Sequence, residues 1–378
     1  MTANQELFSI LDSIIKSLEI TDTQYDLAKK RYETIGKWLS EGEYCLVNKK
    51  ICLKNGEIYA QGSIRQGTTV KPIGQDEFDV DLVFFTPNIS TDDIDPHELN
   101  RLIGKRLREH KKYKKMLTPL KRGWRITYAD EFHLDITPSI DNQDEPHSKS
   151  EFVADRKIQN WKDSNPRDYA TQFDNASKVT ATFKLERTIA KDQASVEPFP
   201  LQTYHKPLLK RYIQILKRHR DVIFQNKEHK PISIIINTLT AESYLYCIKN
   251  FTYSDPIELL HDILNYMPNF IVVDKGEYKI LNPTATRENF AERWNEVPIK
   301  KTAFDKWRQE AILFIEQIRE KNIGEYNLQQ ILIRGLGEKP VKEIFNQRIK
   351  DVSTKRKVGV IGLGASSTAI KANTFFGN

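Results

Sequence analysis

The sequence predicts an α+β chain: a mixed sheet with packed helices in the first half, joined to a lobe of helices in the second. Two changes of pattern indicate this. Between about residues 57 and 139, apolar and polar side chains alternate over short stretches, the period of half-buried strands. From Pro207 onwards the apolar residues recur every three or four positions, the period of amphipathic helices. A length of 378 residues is enough for two lobes, each with its own core.

Taken in order, residues 5–41 show helical periodicity in two segments, broken near Thr21–Gln24, where Thr21 and Gln24 have the spacing of a capping box. Glu57–Gly62, Phe78–Thr86, Leu120–Tyr128 and Glu131–Pro138 read as strands, with a helix over Pro96–His110. Residues 141–202 are polar, with scattered Pro, Asn and Asp, and read as a crossing between lobes with some local helix. Beyond Pro207, Leu208, Tyr212, Ile215, Leu216 and His219 share one helical face, while Lys210, Arg211, Lys217 and Arg218 project elsewhere. Further helices are expected over Ser233–Tyr246, Asp255–Tyr266 and Lys301–Lys321, followed by shorter pieces to about Arg348. Ile271–Leu281 reads as a hairpin turning at Asp274-Lys275-Gly276. From Asp351 the periodicity is lost among Gly, Ser, Ala and Lys. The expected division is 1–200 for the sheet lobe with its N-terminal helices, 201–350 for the helical lobe and 351–378 for a flexible tail.

Composition narrows the function classes. Apolar residues make up 39% and charged residues 29%, as in soluble globular proteins. No run approaches the roughly 18 apolar residues of a membrane-spanning helix. The first twenty residues lack the basic start and small-residue cleavage site of a signal peptide, which points to the cytoplasm. Three cysteines without a CxxC pair exclude a disulfide framework, and no histidines stand at zinc-ligand spacing beside them; free, buried or semi-buried thiols are expected. A net charge of +7 favours anionic partners without choosing between nucleotides, polynucleotides and other acids. The basic run Lys111-Lys112-Tyr113-Lys114-Lys115 reads as a solvated helix end. Gly359-Val360-Ile361-Gly362-Leu363-Gly364 has the outline of a dinucleotide-binding turn, but only 14 residues follow it, too few for the βαβ unit of about 30 that the fingerprint needs.

The chemistry-bearing segment is Gln61-Gly62-Ser63 followed by Phe78-Asp79-Val80-Asp81-Leu82-Val83-Phe84. Residues two apart in a strand share a face. Phe78, Val80, Leu82 and Phe84 therefore enter a core, and Asp79 and Asp81 stand side by side on the other face. Such a pair repels unless a cation is shared, and magnesium suits an open pair because it takes carboxylate oxygens together with substrate phosphates. In His133-Leu134-Asp135-Ile136-Thr137-Pro138 the same alternation presents Asp135. If its strand neighbours the first, three carboxylates can hold two metal ions for in-line displacement at phosphorus. Gly62 and Ser63 lie upstream at a strand-to-helix turn, where backbone N–H groups can approach a triphosphate and Ser63 adds a hydroxyl.

This order, Gly-Ser…Asp-x-Asp…Asp, resembles the nucleotidyltransferase superfamily of DNA polymerase beta, poly(A) polymerases and CCA-adding enzymes. Ile215-Leu216-Lys217-Arg218-His219-Arg220-Asp221, Pro231-Ile232-Ser233-Ile234-Ile235-Ile236-Asn237 and Leu281-Asn282-Pro283…Glu288-Asn289-Phe290…Arg293-Trp294 narrow the resemblance to the bacterial cGAS/DncV-like nucleotidyltransferases, over about residues 55–300. The resemblance implies a polymerase-beta-like nucleotidyltransferase lobe joined to a helical lobe, with the active site in the cleft. It implies synthesis of a cyclic di- or trinucleotide messenger from ribonucleoside triphosphates (ATP, GTP or others) in CBASS-type antiphage defence. Asp79, Asp81 and Asp135 would be the catalytic and metal-binding acids, with two Mg²⁺ per site and Mn²⁺ as an alternative. Gln61, Gly62, Ser63, Lys217 and Ser233 would bind the nucleotide. Taken alone, Lys217 reads as a solvated surface lysine and Ser233 as a helix-capping serine.

The animal member of the family carries a zinc-ribbon insertion that helps it bind DNA. No corresponding Cys/His cluster is present here, which argues against activation by double-stranded DNA. Some members present a flexible C-terminus to a ubiquitin-transfer-like partner, and Phe375-Phe376 ahead of Gly377 would suit that use, although Asn378 departs from a terminal Gly; a tail without a partner is the competing expectation. The functional alternative is a template-independent enzyme that extends RNA or tRNA, supported by the basic run at 111–115.

Overall fold

Two hydrophobic cores organise the computed structural model, which describes residues 3–42, 44–46, 51–53, 56–74, 78–129, 132–145, 148–155, 160–183, 206–320 and 323–357. The chain opens with α1 (Ala3–Ser17) and α2 (Asp22–Ser40). Both halves of the expected capping box start α2: Gln24 N donates to Thr21 Oγ1 at 3.2 Å, and Thr21 N donates to Gln24 Oε1 at 3.0 Å. A short hairpin, β1 (Tyr44–Leu46) and β2 (Ile51–Leu53), leads to β3 (Glu57–Ala60) and the one-turn helix α3 (Gly62–Gln66).

The sheet is built from β3, β4 (Phe78–Thr86), β5 (Leu117–Leu120), β6 (Gly123–Tyr128), β7 (Phe132–Asp141), β8 (Glu151–Asp155) and β9 (Asn160–Ser164), with α4 (Pro96–Glu109) crossing between β4 and β5. Its main path runs β3-β4-β7-β6-β5. β8 and β9 continue from the far end of β7. Only β4 and β7 pair in parallel; the other pairs are antiparallel. The predicted alternation holds. Phe78, Val80, Leu82 and Phe84 from β4, and Phe132, Leu134 and Ile136 from β7, are buried against Leu99, Ile103 and Leu107 of α4. Asp95 caps that helix, accepting from Glu98 N at 2.8 Å, and Pro96 occupies its first turn. Gly104 lets α4 lie directly on Trp124, since a Cβ there would meet the indole at 2.1 Å.

Two expectations need correction. Leu120–Tyr128 is not one strand: the chain turns at Lys121-Arg122, so that β5 and β6 form a hairpin. Gly123 makes the turn with φ +151°, and a side chain there would fall 1.9 Å from the Ile136 carbonyl oxygen. Residues 141–202 are likewise not mainly a crossing, because they contain β8, β9 and α5 (Pro166–Lys178). The strands were hidden by acidic residues that the fold buries with partners. Glu151 accepts from Ser139 Oγ (2.6 Å) and Tyr59 OH (2.7 Å), and Asp155 pairs with Lys121 (3.0 Å) and Arg122 (3.1 Å). Residues 184–205 of that stretch lie outside the described residues.

The second lobe consists of α6 (Leu208–Ile223), α7 (Ser233–Asn250) and α8 (Pro256–Tyr266), the hairpins β10 (Val272–Asp274)–β11 (Glu277–Lys279) and β12 (Leu281–Asn282)–β13 (Ala285–Asn289), and the helices α9 (Glu292–Glu296), α10 (Ile299–Ile318), α11 (Glu325–Leu336) and α12 (Glu338–Lys357). The first hairpin turns where expected, with Lys275 and Gly276 both at positive φ (51° and 84°), as a two-residue type I′ turn requires. α12 runs past the composition change at Asp351. The Gly359–Gly364 motif and the Phe375-Phe376 tail segment lie outside the described residues.

Membership of the cores does not follow chain order. Leu7, Phe8, Leu11, Ile14 and Ile15 of α1, and Tyr169 and Phe173 of α5, are packed with Leu209, Tyr212 and Ile213 of α6 in the helical lobe. α6 is therefore enclosed on nearly all sides. Its cations do not project into solvent: Arg211, Lys217 and Arg218 are 1%, 6% and 4% exposed. Cys247 is a buried free thiol, as expected. No described helix is long and apolar enough to cross a membrane.

Candidate active site

The parallel pairing of β4 with β7 places the acids. Its register sets Asp79 opposite His133 and Asp81 opposite Asp135, so the three carboxylates project from one face at adjacent positions. Burial and the neighbouring acids Asp135 and Asp79 push the Asp81 carboxyl up to about 7, against the weaker pull of Lys217 and Arg125. Burial also raises Asp79, although Arg125 beside it works the other way.

Gln61-Gly62-Ser63 lies against this pair. The Gln61 backbone N–H donates to the Asp81 carbonyl at 2.8 Å, which ties the β3–α3 turn to β4. Gly62 sits at φ +62°, and a Cβ on it would come within 2.4 Å of Asp81 Oδ2. Only glycine lets the backbone pass this close to the carboxylate. The Ser63 hydroxyl accepts from Thr69 Oγ1 at 3.3 Å, and the Ser63 carbonyl receives Thr68 N–H at 2.9 Å.

From the other lobe, α6 and α7 close the cleft. Lys217 extends from α6 to donate to the Thr68 carbonyl at 2.9 Å, and burial lowers its pKa to about 8. The solvated-lysine expectation is thus corrected. So is the capping role of Ser233. It is the first residue of α7, Ile232 occupies the cap without a side-chain bond, and Ser233 Oγ instead accepts from Arg220 Nη1 at 2.8 Å.

Gly62, Ser63, Asp79, Asp81, Lys217 and Ser233 line one cavity of about 670 Å³ between the lobes. Gln61 and Asp135 do not line it: Gln61 is the residue before α3, and Asp135 is paired with Arg125. None of the basic residues at 111–115 lines the cavity; Lys111, Lys112 and Lys114 are exposed on the turn after α4, and Tyr113 is buried. The run is thus an exposed basic patch away from the cavity, as a solvated helix end would be.

Three residues of the site were missed in the sequence. Arg125 on β6 donates through Nε to Asp135 Oδ1 (2.6 Å) and through Nη2 to Asp135 Oδ2 (2.7 Å) and Asp79 Oδ1 (3.0 Å). Its signal was the alternation Trp124, Ile126, Tyr128, which turns Arg125 to the acid face; the hairpin at Gly123 had to be known first. Asn237 of α7 donates to Gln66 Oε1 of α3 at 2.6 Å, a buried link across the cleft; Asn237 stands in the family motif that begins at Pro231, but no local pattern gave either residue this role.

Comparison with known proteins agrees with this arrangement. Residues 1–176 match the family described as the Second Messenger Oligonucleotide or Dinucleotide Synthetase domain. A c-di-GMP synthase of Roseivirga ehrenbergii is 29% identical, the alignment covering 100% of this chain and 98% of that protein. The cyclic dinucleotide synthase CdnG of Bradyrhizobium diazoefficiens is 22% identical over 91% of this chain and 84% of its own length. The solved structure of CdnG in complex with GTP superposes with a TM-score of 0.63 at 18% identity, covering 90% of this chain and 99% of that one. An α+β sheet lobe joined to a helical lobe is the fold shared with that structure, and over residues 1–176 this chain is similar to the Second Messenger Oligonucleotide or Dinucleotide Synthetase family.

Proposed function

We propose that this protein joins two ribonucleoside triphosphates into a cyclic dinucleotide, with GTP the first substrate to test. The observation that carries the proposal is the register of Asp79, Asp81 and Asp135 on one face, with Asp79 and Asp81 lining the same cavity as Gly62, Ser63 and Lys217. The relatives named for c-di-GMP and cyclic dinucleotide synthesis, and the GTP complex, support the nucleotide class.

The donor set fits Mg²⁺ or Mn²⁺. Asp81 is held near pH 7 by burial and two neighbouring acids, a state that a shared divalent cation relieves. Among the described residues no three acidic, histidine or cysteine side chains close a ready-made metal cage. Magnesium completes its shell with substrate phosphates and water, so a pair of carboxylates such as Asp79 and Asp81 is enough from the protein. When bound, the ions neutralise phosphate charge and lower the pKa of the attacking hydroxyl. Asp79 and Asp81 would hold them, and Asp135 would share the one nearest the acceptor. The backbone at Gly62 and Ser63, the ammonium of Lys217 and the hydroxyl of Ser233 would bind the donor triphosphate, with its α-phosphorus turned towards the acids. Asp135, once released by Arg125, would take the proton of the acceptor 3′- or 2′-hydroxyl as it attacks and pyrophosphate leaves. A second round on the linear intermediate closes the ring.

Incubation with all four ribonucleoside triphosphates and Mg²⁺, followed by mass spectrometry, tests this. Cyclic products made by wild type and absent from Asp79→Asn/Asp81→Asn are expected; only linear products, or extension of added RNA, would overturn it. Gly62→Ala is expected to lower kcat by about 100-fold, because the new methyl displaces Asp81 from its working position by a distance that costs that much elsewhere. Steady-state assays on the folded variant check this. In the cell we place the enzyme in the cytoplasm as the signal generator of CBASS-type antiphage defence. Equal phage plating on hosts carrying wild type or Asp79→Asn/Asp81→Asn would remove that role.

A further inference from the structure

Arg125 stands on the oxygens that the proposed reaction requires for metal. β6 sets it there: Trp124, Ile126 and Tyr128 are buried in the sheet core, so Arg125 emerges on the opposite face, in register with Asp135. Its Nε–H and Nη2–H fork onto both oxygens of Asp135, at 2.6 and 2.7 Å, and Nη2 also reaches Asp79 Oδ1 at 3.0 Å. A guanidinium matched to two carboxylate oxygens in this way makes a strong, charge-assisted pair. Among the described residues no side-chain hydrogen bond holds Asp81. The acid face thus has two halves: Asp81, which lines the cavity without a side-chain hydrogen bond, and the Asp79–Asp135 side, where a resident cation bridges both oxygens of Asp135 to one oxygen of Asp79.

We infer that Arg125 acts as an internal cation that keeps the Asp79–Asp135 side closed to a metal ion until its guanidinium is displaced. The inference rests on the metal-dependent reading above and adds an order to it. A cation held by Asp81 and the remaining oxygen of Asp79 needs nothing from Asp135. One that shares Asp135 competes with Arg125 for the same oxygens, and two cations on those oxygens repel. Arg125 is a positioning residue in this role: it aligns Asp135, and it makes full metal loading conditional on its own displacement.

The test is Mn²⁺ binding to nucleotide-free protein, read by electron paramagnetic resonance of the free ion. Arg125→Gln is expected to bind Mn²⁺ at least tenfold more tightly than wild type, and Asp135→Asn added to it should remove the gain. Arg125→Lys, whose ammonium cannot fork onto two oxygens, should fall between. Equal or weaker binding by folded Arg125→Gln, or a gain that survives Asp135→Asn, overturns the inference. If thermal melting shows that Arg125→Gln does not fold, Arg125→Lys decides by the same criterion. Asp79→Asn/Asp81→Asn separates the two levels. If it loses Mn²⁺ binding while Arg125→Gln gains none, the inference fails and the metal assignment stands; if it binds as wild type does, the metal assignment itself fails.

Discussion

Asp81→Asn is expected to abolish turnover while raising the melting temperature of the metal-free protein. The loss follows from its place: Asp81 is the acid beside Gly62 and in register with Asp135. The gain follows from its titration. Burial and two neighbouring acids lift the folded-state pKa to about 7, above the ordinary 3.8. A group raised in the folded state stabilises it below the unfolded pKa, and that contribution is lost as pH rises through the folded value. At pH 8 wild type therefore holds an unfavourable buried charge, and the neutral amide should recover roughly a few kcal/mol. The stability gap should widen between about pH 4 and 7 and then level off. Mg²⁺ should raise the melting temperature of wild type and leave the variant nearly unchanged. Denaturant titrations at pH 5 and 8, with and without Mg²⁺, measure all three effects. A variant less stable than wild type at pH 8, or an active one, would refute the assignment.

The second large effect is on stability, at Arg211→Ala. Arg211 is 1% exposed, with Nε 2.6 Å from Asp12 Oδ1 and Nη1 2.8 Å from Glu19 Oε1. Asp12 also pairs with Lys16 (2.7 Å) and Glu19 with Lys206 (2.5 Å). Gln214, one turn along α6, donates to Glu19 at 3.1 Å and to the Thr69 carbonyl at 2.9 Å. The cluster thus fastens α1 to α6 and α6 to the loop that follows Gly62 and Ser63. Removing the arginine leaves the buried Asp12 with only its pair to Lys16 in a largely apolar interface, and a broken buried pair of this kind costs about 3–5 kcal/mol. Urea denaturation measures it. Arg211→Met combined with Asp12→Leu, which removes charge from both sides, should recover a large part of the loss, because the penalty lies in the unpaired charge rather than in the missing bond. A loss below about 1 kcal/mol for Arg211→Ala would show that the cluster is worth no more than a surface ion pair.

Much of the site was legible in the sequence because it is encoded by local period. Strand alternation alone sorts Phe78, Val80, Leu82 and Phe84 from Asp79 and Asp81, and Leu134 and Ile136 from Asp135, and the register of β4 on β7 brings the two sets together as expected. The capping box at Thr21, the turn at Lys275-Gly276 and the boundaries of β4 are local in the same sense. Lys217 and Ser233 were assigned by family pattern, and they do line the cavity with Gly62 and Ser63.

The misreadings share a cause. Strands β8 and β9, the cations of α6 and Arg125 are polar residues placed in or beside buried surroundings, and polarity in a sequence reads as exposure. A charge can be buried only when partners from distant segments meet it: Arg122 and Lys121 for Asp155, Asp12 and Glu19 for Arg211, Thr68 for Lys217. No local pattern announces such partners. The sequence by itself determined β4 and β7, the acid face and the glycine that approaches it, because period and backbone conformation are set within a few residues. The tertiary structure decided which lobe α1 joins, which cations are enclosed, and that Arg125 lies across Asp79 and Asp135, because burial and ion pairing depend on neighbours far away in the chain.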